Sequence, residues 1–273
     1  MINNIFSKLE YLKYLISKKK PKIFKTIYIN LRSLPFSVAI KFPIFVYGKC
    51  EFVTLKGSIE INGEIKMGMI HIGVPDIRSV DSVSVIANRG TIRFNGNIII
   101  RSGLRISVYN SGVLVFGKKC VLGDFTTIFC TKSITIGNGI RFANNVVVMD
   151  TDIHYLLNVE TGDVQFNKKE IILGDYNWIG SFVSIKKGTY TPDYTIVVGP
   201  YSTACQDYRN TIAPYSMIAG NPAKLIRTGY LRVFNEKLEE KIDKHYSETN
   251  SVFKLDLNEI DKCLYSHCEK VYR

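Results

Sequence analysis

The chain holds four histidines, His71, His154, His245 and His267. Histidine titrates closest to neutrality, so it is the side chain best suited to take a proton from an attacking hydroxyl. His154 is set apart by its surroundings, Met149-Asp-Thr-Asp-Ile-His-Tyr155. In an extended chain Asp150, Asp152 and His154 share one face. A carboxylate that accepts the second imidazole N–H would fix the tautomer and raise its basicity. The sequence does not choose between Asp150 and Asp152, and either could contact hydroxyls of a bound acceptor. The plainer alternatives are an Asx-type turn for the two aspartates and a surface turn for the histidine.

His154 also falls where a repeat pauses. A six-residue period runs through Ile136, Phe142 and Val148, and one aliphatic residue recurs every six positions again through Leu173, Ile179 and Ile185 to Val197 past Thr191. A small residue often follows it, as at Gly137, Ala143, Gly174 and Gly180. Such a period describes a solenoid. Strands of four or five residues alternate with tight turns, the aliphatic side chains stack inward, and Gly or Asn tolerates the left-handed backbone of a turn. The register is lost from about residue 155 to 170 and resumes at Leu173. An excursion from a regular scaffold is where function tends to sit. Residues 48–130 have the same Val, Ile, Thr and Gly content with a poorer period, and read as irregular early coils. A β-sandwich would place its turns at uneven intervals, against the register from 136 to 185.

Helical segments flank the solenoid. Residues 1–47 carry Ile5, Leu9, Leu12 and Ile16 near helical spacing, broken by Pro21, Pro35 and Pro43. Residues 228–273 read as a second helical extension, with Leu231, Phe234 and Leu238 spaced for one face. The net charge is +12, and residues 1–50 hold ten Lys or Arg against the single acid Glu10. That basic segment suits an anionic partner such as a membrane surface or a phosphate, or is simply a solvated face. No recognition motif points to nucleic acid. No apolar run reaches 18 residues and no signal-peptide pattern opens the chain, so the expectation is a cytoplasmic protein, at most peripheral to the inner membrane face. Six cysteines without a CxxC pair read as free thiols, and no metal site is expected.

Trp178-Ile-Gly-Ser181 within the six-residue repeats, followed by Ala219-Gly-Asn-Pro-Ala-Lys-Leu-Ile-Arg227, resembles the end of a hexapeptide-repeat acyltransferase. The resemblance covers roughly residues 85–227, and the basic N-terminal segment looks like those of polysaccharide O-acetyltransferases. It implies an all-β solenoid, a left-handed parallel β-helix of triangular section with helical extensions. It further implies a homotrimer with active sites in the clefts between subunits, and transfer of acetyl from acetyl-CoA to a sugar hydroxyl of a surface polysaccharide or its precursor. His154 matches the family's catalytic position, one protruding loop before the Trp-Ile-Gly-Ser coil. Trp178 would line the acceptor and thioester site. The coenzyme would run past Gly180, Ser181 and Gly199, with its phosphates near Lys224 and Arg227. A backbone N–H of Ile179–Ser181 would meet the oxygen that becomes negative.

The sequence departs from the family where members carry Val-Thr-Lys. Here Ser202-Thr-Ala-Cys-Gln206 precedes a longer loop, the lysine is missing, and Arg209 is the available substitute. Nearest rivals are serine, maltose or antibiotic acetyltransferases and an amino-sugar N-acetyltransferase. A carbonic anhydrase on the same solenoid needs three converging histidines, and only His154 lies beside the regular repeats. A non-catalytic trimeric scaffold is the alternative of another class.

Overall fold

The computed structural model describes residues 20–76, 79, 82–256 and 258. The expected helix around Ile5–Ile16, Lys8, Lys13, Lys18 and Lys19, His267, Cys263 and Cys268 lie outside the described residues. The chain winds into a left-handed parallel β-helix with three faces. Among the described residues face A holds nine strands, from Ile44–Val46 to Ala223–Arg227; face B holds seven, from Lys49–Leu55 to Thr203–Ala204; face C holds six, from Ser58–Ile61 to Tyr190–Thr191. Every coil visits the faces in the order A, B, C.

Stacked columns of apolar side chains hold the prism together. On face C, Ile59, Ile92, Leu114, Ile134 and Ile171 sit in register and are buried. Each such side chain contributes about 1.5–3 kcal/mol by leaving water. Phe94 and Phe116 stack inside the same face with ring centroids 5.3 Å apart. The corners explain the small residues. A Cβ on Gly137 would lie 2.6 Å from the Gly174 carbonyl oxygen of the next coil, so nothing larger fits without movement.

The turn chemistry goes beyond Gly and Asn. Gly103, Gly139, Gly188, Gly199 and Asn145 take left-handed corners as expected, but Phe125, Tyr176, Phe182, Tyr194, Tyr201 and Tyr215 do so too, all with φ between 53° and 64°. The aromatic rings compensate by stacking from coil to coil. Tyr176, Tyr194 and Tyr215 form a column with centroid separations of 5.5 and 4.6 Å.

The repeat is strict only late in the chain. Trp178 pairs with Ile196, three sixes further on, whereas Val121 pairs with Arg141, twenty residues on. Extra corner residues therefore blur the period of the early coils. The first strand begins at Ile44, inside the segment expected to be purely helical.

Helix α1, Ile23–Ser33, closes the N-terminal end. It starts behind Pro21 and stops before Leu34-Pro35, as the residue before proline avoids helical backbone. Its buried Asn30 side-chain amide donates to the Ile44 carbonyl at 2.7 Å and its amide oxygen accepts from Ile44 N–H at 3.2 Å. The Thr26 hydroxyl accepts from Val46 N–H at 3.1 Å. The helix thus satisfies edge groups that would otherwise invite pairing with another chain. A short helix, α2 (Phe36–Ala39), leads into the first strand.

At the other end the strand Ala223–Arg227 turns back antiparallel to Met217–Gly220. Buried Tyr208 donates its hydroxyl to the Ala223 carbonyl at 3.0 Å and seals that end. Beyond it, residues 229–235 are not helical, contrary to the spacing of Leu231, Phe234 and Leu238. They run back to face A, where Phe234 meets Arg141 and Tyr176. Helix α3, Glu236–Glu248, begins only after the Asn235 side chain caps Leu238 N–H.

Candidate active site

The arm carrying His154 leaves the prism at the corner between faces B and C, after the strand Val147–Met149. It is a hairpin whose strands Leu156–Leu157 and Val164–Gln165 pair antiparallel, with a further bridge between Thr151 and Lys168 at its root. The excursion that broke the repeat is thus an ordered element.

Its root is heavily tied. Asp152 N–H donates to the Asn167 carbonyl at 2.9 Å, and the buried Asn167 amide donates to the Ile153 carbonyl at 2.9 Å. Lys187, from the following coil, pairs with the Asp152 carboxylate at 2.5 Å and reaches the Phe166 carbonyl at 3.3 Å. Between these ties Ile153 adopts φ 66°, a left-handed conformation that is unusual for a β-branched residue. Such strain persists only where surroundings enforce it, and it clusters at functional sites. It aims the next residue, His154, outward. The His154 side chain is exposed, its backbone N–H donates to the Asp152 carbonyl at 2.7 Å, and no hydrogen bond to its ring occurs among the described residues.

The two aspartates separate in role. Asp150 points into the prism and is fully buried. Its carboxylate accepts from the N–H groups of Thr131, Lys132 and Ser133 and from the Thr131 hydroxyl, at 2.7–3.0 Å. Those donors occupy the lone pairs of both oxygens. Asp150 therefore organises a corner, and the expectation that it orients His154 or meets an acceptor fails on its burial. The Asp152 carboxylate is partly exposed but faces Lys187 rather than the imidazole. Neither carboxylate bonds to the His154 ring in this chain. Sequence reading missed Asn167 and Lys187; their only signal was a position flanking the lost register.

The residues expected along the coenzyme form one line. Gly180 and Ser181 occupy the corner between faces A and B, and Gly199 occupies the same corner one coil on. A Cβ on Gly199 would lie 3.9 Å from the Ala219 side chain, and Ala219 pairs with Lys224 across the closing hairpin. Gly180 N–H is already taken by the Val197 carbonyl at 2.8 Å, which removes it as an oxyanion donor. Exposed Ser181 has no partner for its N–H among the described residues, so this donor remains available. Lys224 and Arg227 are exposed, and Arg227 lies 3.4 Å from the Tyr230 hydroxyl. Arg209 is engaged elsewhere: it forms two bonds to Asp207, at 3.0 and 2.7 Å, and stacks 4.1 Å over Tyr190.

Trp178 projects from face A and is half-buried. Arg232 of the C-terminal segment lies 5.4 Å over its ring, a contact no sequence pattern announced. Burial and the nearby Arg141 lower the Arg232 pKa. Within one chain, His154, the Ser181 corner and Trp178 occupy different parts of the prism: the His154 corner and the Ser181 corner are separated by face B. Among the described residues no group of three or more His, Cys, Asp or Glu side chains converges in the manner of a metal site.

Repeat, corner chemistry and closing hairpin are those of the hexapeptide-repeat acyltransferase class, which the chain resembles. No family model matches it. Among individual proteins it is similar to the "Putative lipopolysaccharide biosynthesis O-acetyl transferase WbbJ" of Escherichia coli K12, at 25% identity over 189 residues, covering 66% of this chain and 90% of that protein. It is also similar to a polysialic acid O-acetyltransferase of Neisseria meningitidis, at 24% identity over 141 residues, 44% of this chain and 66% of that protein. Among solved structures, the polysialic acid-specific acetyltransferase NeuO aligns with a TM-score of 0.43 at 18% identity, over 78% of this chain and 91% of that one.

Proposed function

We propose that the protein transfers an acetyl group from acetyl-CoA to a sugar hydroxyl of a surface polysaccharide or its precursor, with His154 as general base. The observation that carries the reading is an exposed imidazole on a hairpin whose root is fixed by Asn167, Lys187 and a strained Ile153. The imidazole takes the hydroxyl proton while the oxygen attacks the thioester carbonyl. The negative oxygen of the tetrahedral intermediate is met by Ser181 N–H. On collapse the carbon–sulfur bond breaks, and the thiolate takes the proton from the imidazolium, which restores the base. The donor lies along the Gly180, Ser181 and Gly199 corner, with its phosphates toward Lys224 and Arg227. The acceptor class follows from relatives named for lipopolysaccharide and polysialic acid acetylation.

The site is shared between copies in a homotrimer. His154 and the donor corner lie at different corners of one prism, and the arm exposes Tyr155, Leu156, Leu157, Val159, Val164 and Phe166. An apolar arm of that size suits burial against a neighbouring subunit, which would bring a donor corner to the imidazole. With its ring free in a single chain, His154 would receive any orienting partner from that neighbour.

The test is thiol release from acetyl-CoA with a panel of sugars, nucleotide sugars and short bacterial glycans, comparing wild type with His154→Ala. Acceptor-dependent release that falls about 10²-fold or more in the variant matches loss of a general base. Release unchanged by the substitution overturns the assignment.

A further inference from the structure

The apolar face of α1 has no part in the reaction, and it is built on a different plan from the capping face. At about 100° per residue, the helix divides into three arcs. Thr26, Ile29 and Asn30 form the buried arc against the first coil. Ile23, Phe24, Ile27, Tyr28 and Leu31 form a contiguous arc on the far side, with Ile23 70%, Phe24 88%, Tyr28 51% and Leu31 50% exposed. Lys25 and Arg32 lie together between the two arcs. Phe36 and Ile40, just beyond the helix, are also exposed.

Capping engages the Thr26, Ile29 and Asn30 arc alone, and the apolar arc on the far side of α1 takes no part in it. A solvated helix would carry polar residues where Phe24, Ile27 and Leu31 stand. The charge beside this second face identifies what it meets. Residues 20–50 contain Lys20, Lys22, Lys25, Arg32, Lys41 and Lys49 and no acidic residue, and Glu51 is the single acid that lines the groove with Phe24 and Tyr28. A second copy of the same face would oppose cation to cation. An anionic bilayer supplies the complementary charge and the apolar layer together, the two signals that stable peripheral binding needs.

We infer that α1 is a membrane-docking helix: its Ile23–Leu31 apolar arc enters the headgroup boundary of an anionic lipid surface while Lys20, Lys22, Arg32 and Lys41 sit over the headgroups; the Lys25 ammonium is held by the Cys50 carbonyl. The helix stands at the N-terminal end of the prism, about four strand spacings, roughly 19 Å, along the axis from the coil that carries the arm. The docking does not depend on the transferase reading, since it concerns purified protein and lipid alone.

The experiment is flotation of the full-length protein with two sets of vesicles, one of phosphatidylcholine and one containing phosphatidylglycerol. Two variants are compared with wild type: Phe24→Ser with Leu31→Ser, and Lys20→Glu with Lys22→Glu and Lys41→Glu. All five side chains are exposed, so the thermal unfolding midpoint of each variant serves as the folding control. Wild type is expected to float with the phosphatidylglycerol vesicles, weakly with phosphatidylcholine, and less as salt rises. The apolar variant should lose at least about tenfold in partitioning, as expected for losing a buried aromatic and a buried leucine. The charge variant should lose at least about fivefold for each reversed lysine near the surface. No binding to either vesicle, or equal binding to both, overturns the inference. So does an apolar variant that binds as wild type, which would leave the residues before Lys20 as the binding element. An apolar variant whose vesicle binding is unchanged but whose oligomeric mass falls would make the face an interface between copies instead.

Discussion

Asp150→Asn separates the structural carboxylate from the proposed base, His154. Asp150 is buried, and four donors from Thr131, Lys132 and Ser133 converge on its two oxygens. An amide keeps one oxygen and turns an NH2 group toward N–H donors that cannot rotate away. Hydrogen bonds to a charged group are worth about 1.5–3 kcal/mol each, and a buried donor left unmade costs about 1–3 kcal/mol. Losing two of the four donors and gaining a donor–donor clash therefore costs roughly 3–5 kcal/mol, without assuming additivity. For a chain of this size each kcal/mol lowers the unfolding midpoint by about 2–4 °C, so the fall should be on the order of 10 °C. Thermal unfolding followed by circular dichroism measures it, with His154→Ala as the contrast. The histidine variant should unfold at the wild-type temperature, since its ring makes no hydrogen bond among the described residues. An Asp150→Asn protein that keeps its midpoint yet loses acyl transfer would refute this reasoning and return Asp150 to the reaction.

Ile153→Gly relieves a left-handed residue worth about 1–2 kcal/mol, so the midpoint should hold or rise slightly while acceptor-dependent turnover falls as the arm root loosens; a turnover equal to wild type would show that the strain does not aim His154. Burial pushes the His71 pKa down to about 4, and its ring nitrogen bonds the Tyr47 hydroxyl at 2.8 Å. The unfolded chain binds the proton first as pH falls through about 6.5, so stability is full above that pH and drops toward pH 4, by about 2 kcal/mol at pH 5; His71→Phe should flatten this part of the midpoint–pH curve. Arg232→Ala uncovers the ring of Trp178, the single tryptophan, so its fluorescence should become more accessible to acrylamide; unchanged quenching would mean the C-terminal segment does not cover that ring in solution.

Legibility followed how locally each feature is encoded. The late coils were readable because three sixes make one turn, so Leu173, Ile179 and Ile185 repeat without interruption. The early coils carry extra corner residues, and a register that changes from coil to coil leaves no period to detect. Corner aromatics were invisible for a different reason. Tyr176, Tyr194 and Tyr215 tolerate their backbone because they stack on one another, and that compensation spans coils separated by about twenty residues.

The same division runs through the site. His154 was legible because the break in the repeat marks where the chain leaves the prism. The roles of its neighbours were not. Alternation along an extended strand puts Asp150, Asp152 and His154 on one face, and that premise fails because the strand ends at Met149: Asp150 and Thr151 are both buried while Asp152 is exposed. Asp150 thus stays inside to hold the previous corner, and the left-handed Ile153 then turns the chain before the imidazole. Asp152 is then left beside Lys187, which arrives from the next coil and has no sequence proximity to the arm. A residue type can therefore nominate a base, but its orientation is decided by a backbone conformation that ordinary propensity would have excluded at isoleucine. Neither aspartate reaches the ring, so in the proposed homotrimer both the contact that orients the imidazole and the donor corner come from a neighbouring subunit, which would also cover the apolar arm.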